Sequence, residues 1–292
     1  MKWKRGKSSD RDVIDIRGAS GGGGGGGGLG GLPIPGGIGG IGGGAGVVVV
    51  IVVIAIQLLG GGDVNEILLG GQAPGASSPE PIPPSQDPDL ELKEFSGYVF
   101  NDAQDTWAKA FAKDGEDYED AELVLYSGAV STGGCGNATS AVGPFYCPGD
   151  QRVYLDLSFY DDMRRQLGAS GDFAWAYVIA HEMGHHVQEE SGLEAGGGSG
   201  AESESVRAEL QADCYAGVWA STVFNQLQPG DLDEAFTASE AVGDDRLQRQ
   251  AGQGVNPDSF THGTSEQRHH WFETGYQSAD PSACDTFSAD SL

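Results

Sequence analysis

Two histidines four residues apart, with a glutamate beside the first, form the stretch of this chain best equipped for chemistry: His181-Glu182-Met183-Gly184-His185. Four residues along an α-helix advance ~400°, so the two imidazoles fall within ~40° of one face and can reach a single metal ion. Glu182 then points sideways, where it could take a proton from a metal-bound water. Three fixed positions in a run of five recur by accident, so the flanks carry weight. Val178, Ile179, Ala180, Met183 and Val187 are apolar, the pattern of a helix buried in a domain with its few polar groups turned inward.

A third ligand is offered downstream. Glu209 and Asp213 stand at another four-residue spacing in a second apolar helix that begins near Glu202. A hydrolytic zinc site takes three protein ligands and keeps one position open, and His181, His185 and Glu209 meet that requirement. Asp213 is placed to accept the other N–H of a ligating imidazole, which fixes its tautomer. One Zn2+ per chain is expected; cobalt or manganese can occupy the same donors.

With zinc, a bound water of pKa about 7 and Glu182 as general base would hydrolyse an amide. The oxyanion needs a further donor. His262, between Thr261 and Gly263 ahead of a helix, is the leading catalytic candidate, with Tyr154, Tyr215 and Arg268 as rivals. His186 is rotated ~100° from His185 and should miss the metal. His269 and His270 read as polar residues of the final helix. A non-catalytic module or scaffold could use the same metal as a structural staple, but such sites close the fourth position with Cys or His and have no need of Glu182. A zinc amidase acting on a cell-wall peptide bond shares every motif.

Several segments resemble the bacterial family of putative neutral zinc metallopeptidases: Cys135-Gly136, Gly143-Pro144-Phe145-Tyr146-Cys147-Pro148, Val153-Tyr154-Leu155-Asp156, the run His181 to Gln188, Gln211-Ala212-Asp213-Cys214-Tyr215-Ala216-Gly217-Val218-Trp219, and Thr261-His262-Gly263-Thr264-Ser265-Glu266-Gln267-Arg268. The resemblance spans nearly the whole chain, including its basic, glycine-rich start. It implies a zincin-type peptidase with the two histidines and the downstream glutamate on zinc; the expected partner is a peptide or protein substrate, whose identity the resemblance does not specify. The Glu-Ala-Gly-Gly-Gly-Ser-Gly insert at 194–200 departs from the pattern and reads as a loop between the two site helices.

The elements that must position these groups follow from periodicity. Helices are expected at 97–114, 159–168, 171–190, 202–227, 231–252 and 264–278, with strands near 121–127 and 152–157. The class is α+β, mostly helical with a small sheet, in one domain over 91–292 large enough for its own core. Before it come a flexible basic and glycine-rich tail (1–37), a transmembrane anchor (38–59) and a Gly/Pro/Ser-rich linker (60–90). The uncharged stretch 38–59 spans about 33 Å as a helix, enough for a bilayer core. Its strongest apolar run is only about 13 residues, so a cleaved signal or a non-membrane segment are alternatives.

Residues 1–17 hold six basic and three acidic side chains in a chain whose net charge is −27. The positive-inside tendency places that start in the cytoplasm and the catalytic domain outside it, on a single-pass membrane protein. Four cysteines agree with an oxidising compartment: Cys135 and Cys147 enclose a short Gly- and Pro-containing segment, and a Cys214 to Cys284 bridge would tie the tail to the core. Four reduced, buried thiols are the alternative; zinc ligation by cysteine is disfavoured for lack of paired short spacing. Strong acidity excludes nucleic acid as a partner, because phosphate binding needs a basic face.

Overall fold

β-Branched and aromatic residues in short alternating runs build a four-stranded sheet, and longer apolar stripes build the helices packed on it. The computed structural model describes residues 1–3, 10–18, 82–193 and 197–292. Its sheet has the order β1-β2-β6-β5, with β1 at Val13–Asp15, β2 at Glu122–Tyr126, β5 at Phe145–Cys147 and β6 at Arg152–Asp156. β1 runs parallel to β2 and β2 to β6, whereas the edge strand β5 is antiparallel to β6. Side chains alternate across the sheet with period two. Leu123, Leu125, Val153 and Leu155 join the main core, while Val124, Tyr126 and Tyr154 belong to a smaller cluster on the other side. That cluster is covered by the hairpin of β3 (Ala129–Ser131) and β4 (Asn137–Thr139), and the Cys135–Cys147 disulfide ties the hairpin to β5.

Seven α-helices complete the described residues: α1 (Leu90–Asp114), α2 (Phe159–Asp162), α3 (Asp172–Glu190), α4 (Glu204–Thr222), α5 (Asp231–Ala241), α6 (Asp244–Gln250) and α7 (Ser265–Ser278). The mostly helical α+β class agrees with expectation, and the differences are local. The expected helix 159–168 is a short α2 followed by a π-helical turn at Met163–Leu167. The expected helix 231–252 breaks after Ala241 because Gly243 is extended and lies against Ser265, where a Cβ would overlap main-chain atoms. The expected 202–227 helix is α4 plus a 3-10 turn at Phe224–Gln226; Ser203 caps it by accepting from the Val206 N–H. β3, β4 and β5, three residues each, are too short for periodicity to register.

A free tail over 1–37 does not hold for residues 10–18. Ile16 N–H donates to Leu125 O at 2.8 Å and Leu123 N–H to Asp12 O at 2.8 Å, so β1 is part of the domain's sheet. Its anchor is a buried ion-pair network: Arg17 meets Asp15 at 2.8 Å and Asp87 at 2.6 Å, and Lys93 of α1 meets Asp15 at 2.9 Å. Asn101 of α1 donates to Arg11 O at 2.7 Å, and Gln104 to Asp12 Oδ2 at 3.0 Å. Hydrogen-bonded strands share one side of any membrane. The expected separation of a cytoplasmic start from an extracytoplasmic domain is therefore incompatible with β1 lying beside β2. The expected anchor at 38–59 lies outside the described residues, among which no helix is long and apolar enough to cross a membrane.

Candidate metal centre

The site is made where α3 and α4 come close enough for side chains of one to meet those of the other. Gly184 permits this approach: a Cβ there would stand 2.9 Å from the Cα and carbonyl oxygen of Ala212. On α3, His181 and His185 project together, their ring centroids 4.9 Å apart and their planes at 87°. From α4, Glu209 faces both, with Oε2 3.3 Å from His181 Nε2 and Oε1 3.5 Å from His185 Nε2. All three ligand atoms lie within 4.8 Å of one another and the residues are buried.

These atoms fit a metal. His181 Nε2, His185 Nε2 and Glu209 Oε2 have no hydrogen-bond partner although buried. Buried polar atoms are rarely left so, and three converging on one point form a cradle for a cation. Their donor types, two imidazole nitrogens and one carboxylate, suit zinc. Glu182 is buried beside them; the Tyr146 main-chain N–H of β5 supports its carboxylate, and its Oε2 has no partner.

Each imidazole is steered by its other nitrogen. His181 Nδ1 lies 2.8 Å from Asp213 Oδ1, as the spacing of Glu209 and Asp213 predicts. His185 Nδ1 lies 2.9 Å from Gln188 Oε1, and Gln188 Nε2 donates back to α4 at Ala208 O (2.7 Å) and Gln211 Oε1 (3.1 Å). Both Nε2 lone pairs are thereby aimed inward. Asp213 is itself held by a bidentate pair with Arg268 of α7 (2.8 and 2.9 Å) and by the Tyr177 hydroxyl. α7 reaches this deep because Gly275 lets its backbone press against Cys214 of α4. The Cys214–Cys284 disulfide fastens the chain end to the same helix.

Proton affinities follow from these contacts. Burial opposes charge on His181, but Asp213 outweighs it and raises the imidazole to about 9. Burial likewise opposes ionisation of Asp213, yet Arg268 and His181 hold it below the usual range. Glu209 is held well below its ordinary value by His185 and His181 against the same burial penalty. Glu182 moves the other way: burial raises it above its ordinary value.

His262 is buried, with Nδ1 3.0 Å from Asp244 Oδ1. Asp244 Oδ2 accepts the main-chain N–H groups of Thr261 and His262 at 2.7 Å each and of Gly263 at 3.2 Å, so this loop is clamped around one carboxylate. His262 is near enough to Glu209 to lower its proton affinity. Among the rival donors only Arg268 is at the site: Tyr154 donates to Asp150, and Tyr215 packs on Trp107. His186 turns away to Tyr146 and the Glu119 carbonyl, and His269 stacks on Phe236. Sequence reasoning missed Tyr177, Gln188 and Asp244. Helical spacing from His181 and His185 could have found the first two; nothing local marks Asp244, which meets His262 only through the packing of α6 on the loop.

A search of solved structures finds no match. Among curated proteins the chain is 48% identical over 237 residues to the uncharacterized protein YpfJ of Escherichia coli K12, covering 78% of this chain and 81% of that one. It is 48% identical over 191 residues to the uncharacterized protein Rv2575 of Mycobacterium tuberculosis H37Rv, covering 60% of this chain and 65% of that one. The model of the putative neutral zinc metallopeptidase family matches residues 1–287, and the chain belongs to that family.

Proposed function

We propose that the protein is a zinc-dependent peptidase that hydrolyses internal peptide bonds, with His181, His185 and Glu209 holding one Zn2+ and Glu182 as general base. One observation carries the reading. Two imidazole nitrogens and a carboxylate oxygen, all buried and unpartnered, converge next to a second unpartnered carboxylate whose proton affinity is raised. A purely structural site has no use for the latter.

Zinc in this cradle supplies Lewis acidity and a water of lowered pKa. Everything else falls to the chain. Glu182 removes a proton from the attacking water and returns it to the leaving amine nitrogen. Asp213 and Gln188 keep the imidazoles in the tautomer that leaves Nε2 free. His262, steadied by Asp244, donates to the oxygen that gains charge as the carbonyl becomes tetrahedral.

Two disulfides support an extracytoplasmic location for the domain, and β1 carries residues 10–18 with it. The test is cleavage of a denatured protein or a quenched peptide library by the full chain, wild type against Glu182→Gln, with zinc content measured on both. The expected result is one zinc in each and cleavage by wild type alone. Zinc in both and cleavage by neither overturns the reading.

A further inference from the structure

Apart from the metal ligands, three carboxylates converge at the point where α3 and α5 begin. Asp172, Asp231 and Glu234 each offer an oxygen, and these lie within 4.8 Å of one another. Asp172 opens α3, while Asp231 and Glu234 stand in the first turn of α5. Acids suit the positive end of a helix, but three gathered on one spot repel one another and call for a cation. The chain supplies it. The α-ammonium of Met1 lies 2.8 Å from both Asp172 oxygens and 3.1 Å from Asp231 Oδ2, and Met1 is only 4% exposed.

The groups around that ammonium are held independently of it. The Met1 side chain joins the main core. Lys2 donates its main-chain N–H to Gln226 O at 2.7 Å. The Trp3 ring packs on Phe95 and Tyr98 of α1, with centroids 5.4 and 5.9 Å apart, and the Tyr98 hydroxyl donates to the Gln226 side chain. On the acidic side, Glu234 Oε2 accepts the Phe173 N–H at 3.0 Å, its carboxyl seated over Gly171, where a Cβ would overlap it. Burial raises the proton affinity of Glu234; the Phe173 N–H opposes this, Asp172 and Asp231 add to it, and the ammonium offsets them.

We propose that Asp172, Asp231 and Glu234 form a receptor for a peptide α-ammonium, with Met1–Trp3 as its resident ligand, latching the head of the chain to the start of the helix that carries His181 and His185. Charge decides the class of ligand. An ammonium has three N–H donors, and three carboxylate oxygens stand within reach of this one. The backbone decides which ammonium. The Lys2 N–H is bonded one residue from the charge, a spacing that an α-amine meets and a lysine ε-amine, four methylenes from its own backbone, does not. Asp231 is buried, so losing the ammonium leaves a carboxylate there without its cation. Acylation of the α-amine, or a residue added ahead of it, therefore releases the latch. The inference stands apart from the peptidase reading and uses none of its groups.

The experiment uses the zinc-loaded full chain in three forms: with Met1 first, with Met1 acetylated at its α-amine, and with one glycine added ahead of Met1. Intact mass confirms each terminus. The first form is treated at neutral pH with an amine-acylating reagent, to which lysines, of higher pKa, respond slowly, and labelled Met1 is quantified by peptide mapping. Labelling is expected to be at least about 10-fold slower in the native chain than in the same chain in denaturant, and to quicken about 10-fold in native Asp231→Asn. Acetylation and glycine addition should each lower the melting midpoint by at least about 2–4 °C. Asp231→Asn should cost little more in the acetylated chain, because the pair it would break is already broken. Asp172→Asn serves the same comparison if Asp231→Asn does not fold. Labelling as fast in the native chain as in denaturant, a midpoint unchanged in either modified form, or losses that add in full in the acetylated variant overturns the receptor.

Discussion

Replacing Gln188 by alanine should weaken zinc binding without removing a ligand. In the wild-type protein Gln188 Oε1 lies 2.9 Å from His185 Nδ1 and fixes which way that ring faces. Loss of such a partner costs a metal site about 10–100-fold in affinity, or about 1.4–2.7 kcal/mol. The same substitution strips two acceptors on α4, Ala208 O at 2.7 Å and Gln211 Oε1 at 3.1 Å, of their donor. Ala208 O keeps its own helical bond, so at about 1–3 kcal/mol for a buried group left unpaired the loss at Gln211 Oε1 should lower stability by roughly 1–3 kcal/mol. Gln188→Glu separates the two effects, because it keeps an acceptor for His185 and loses only the donor to α4. Zinc affinity, read by competition with a chromophoric chelator at neutral pH, should fall in the alanine variant and stay within a few-fold of wild type in the glutamate variant. Melting temperature should drop in both. An alanine variant that binds zinc as tightly as wild type, or a glutamate variant that loses as much as alanine, refutes the reasoning.

Other outcomes follow from neighbouring contacts. His262→Ala should lower kcat by about 10²–10³-fold with zinc content intact, and Asp244→Asn should reproduce part of that loss; a variant that loses its zinc would mark His262 as structural instead. Gly184→Ala places a methyl 2.9 Å from Ala212 and pushes α3 off α4, so a loss of about 1–3 kcal/mol and weaker zinc binding are expected, and an unchanged denaturation midpoint would contradict the close approach. Asp15 is held at about 2 against an ordinary 3.8 because Arg17 and Lys93 outweigh its burial. A depressed carboxyl contributes stability that is complete above about pH 4 and lost as pH falls through about 2, so amide exchange at Leu123, whose N–H bonds to Asp12, should quicken across that window and the step should vanish in Asp15→Asn. A protease-cleavable tag before residue 10 should be cut from outside intact cells whenever the domain is, since β1 and β2 share one sheet; protection of the tag alone would count against that pairing.

Much of the centre was legible because it is helical. His181 with His185, and Glu209 with Asp213, each sit one turn apart, so the geometry of an α-helix alone puts each pair on one face. The apolar flanks then told which face was buried, and the outer helix limits of α3, α4 and α7 emerged to within two or three residues, apart from the 3-10 turn that ends α4. What was not legible lies where partners are distant in sequence. Arg268 could be offered as one donor among four, but its bond to Asp213 spans 55 residues and depends on how α7 packs on α4. Asp244 reaches His262 across a broken helix that periodicity reads as continuous.

The N-terminus is the sharpest case. Its charge and glycine content describe a solvated tail, and nothing in Val13-Ile14-Asp15 announces that a strand of the domain's sheet is being made. The chain by itself determined the candidate ligand types, their spacing and the buried faces of the site helices, because each of these rests on local covalent geometry or on composition. Tertiary structure alone decided which carboxylate faces which imidazole, that Arg268 clasps Asp213, and that residues 10–18 join the sheet. Those outcomes depend on burial and close packing, which bring together groups that no local rule relates.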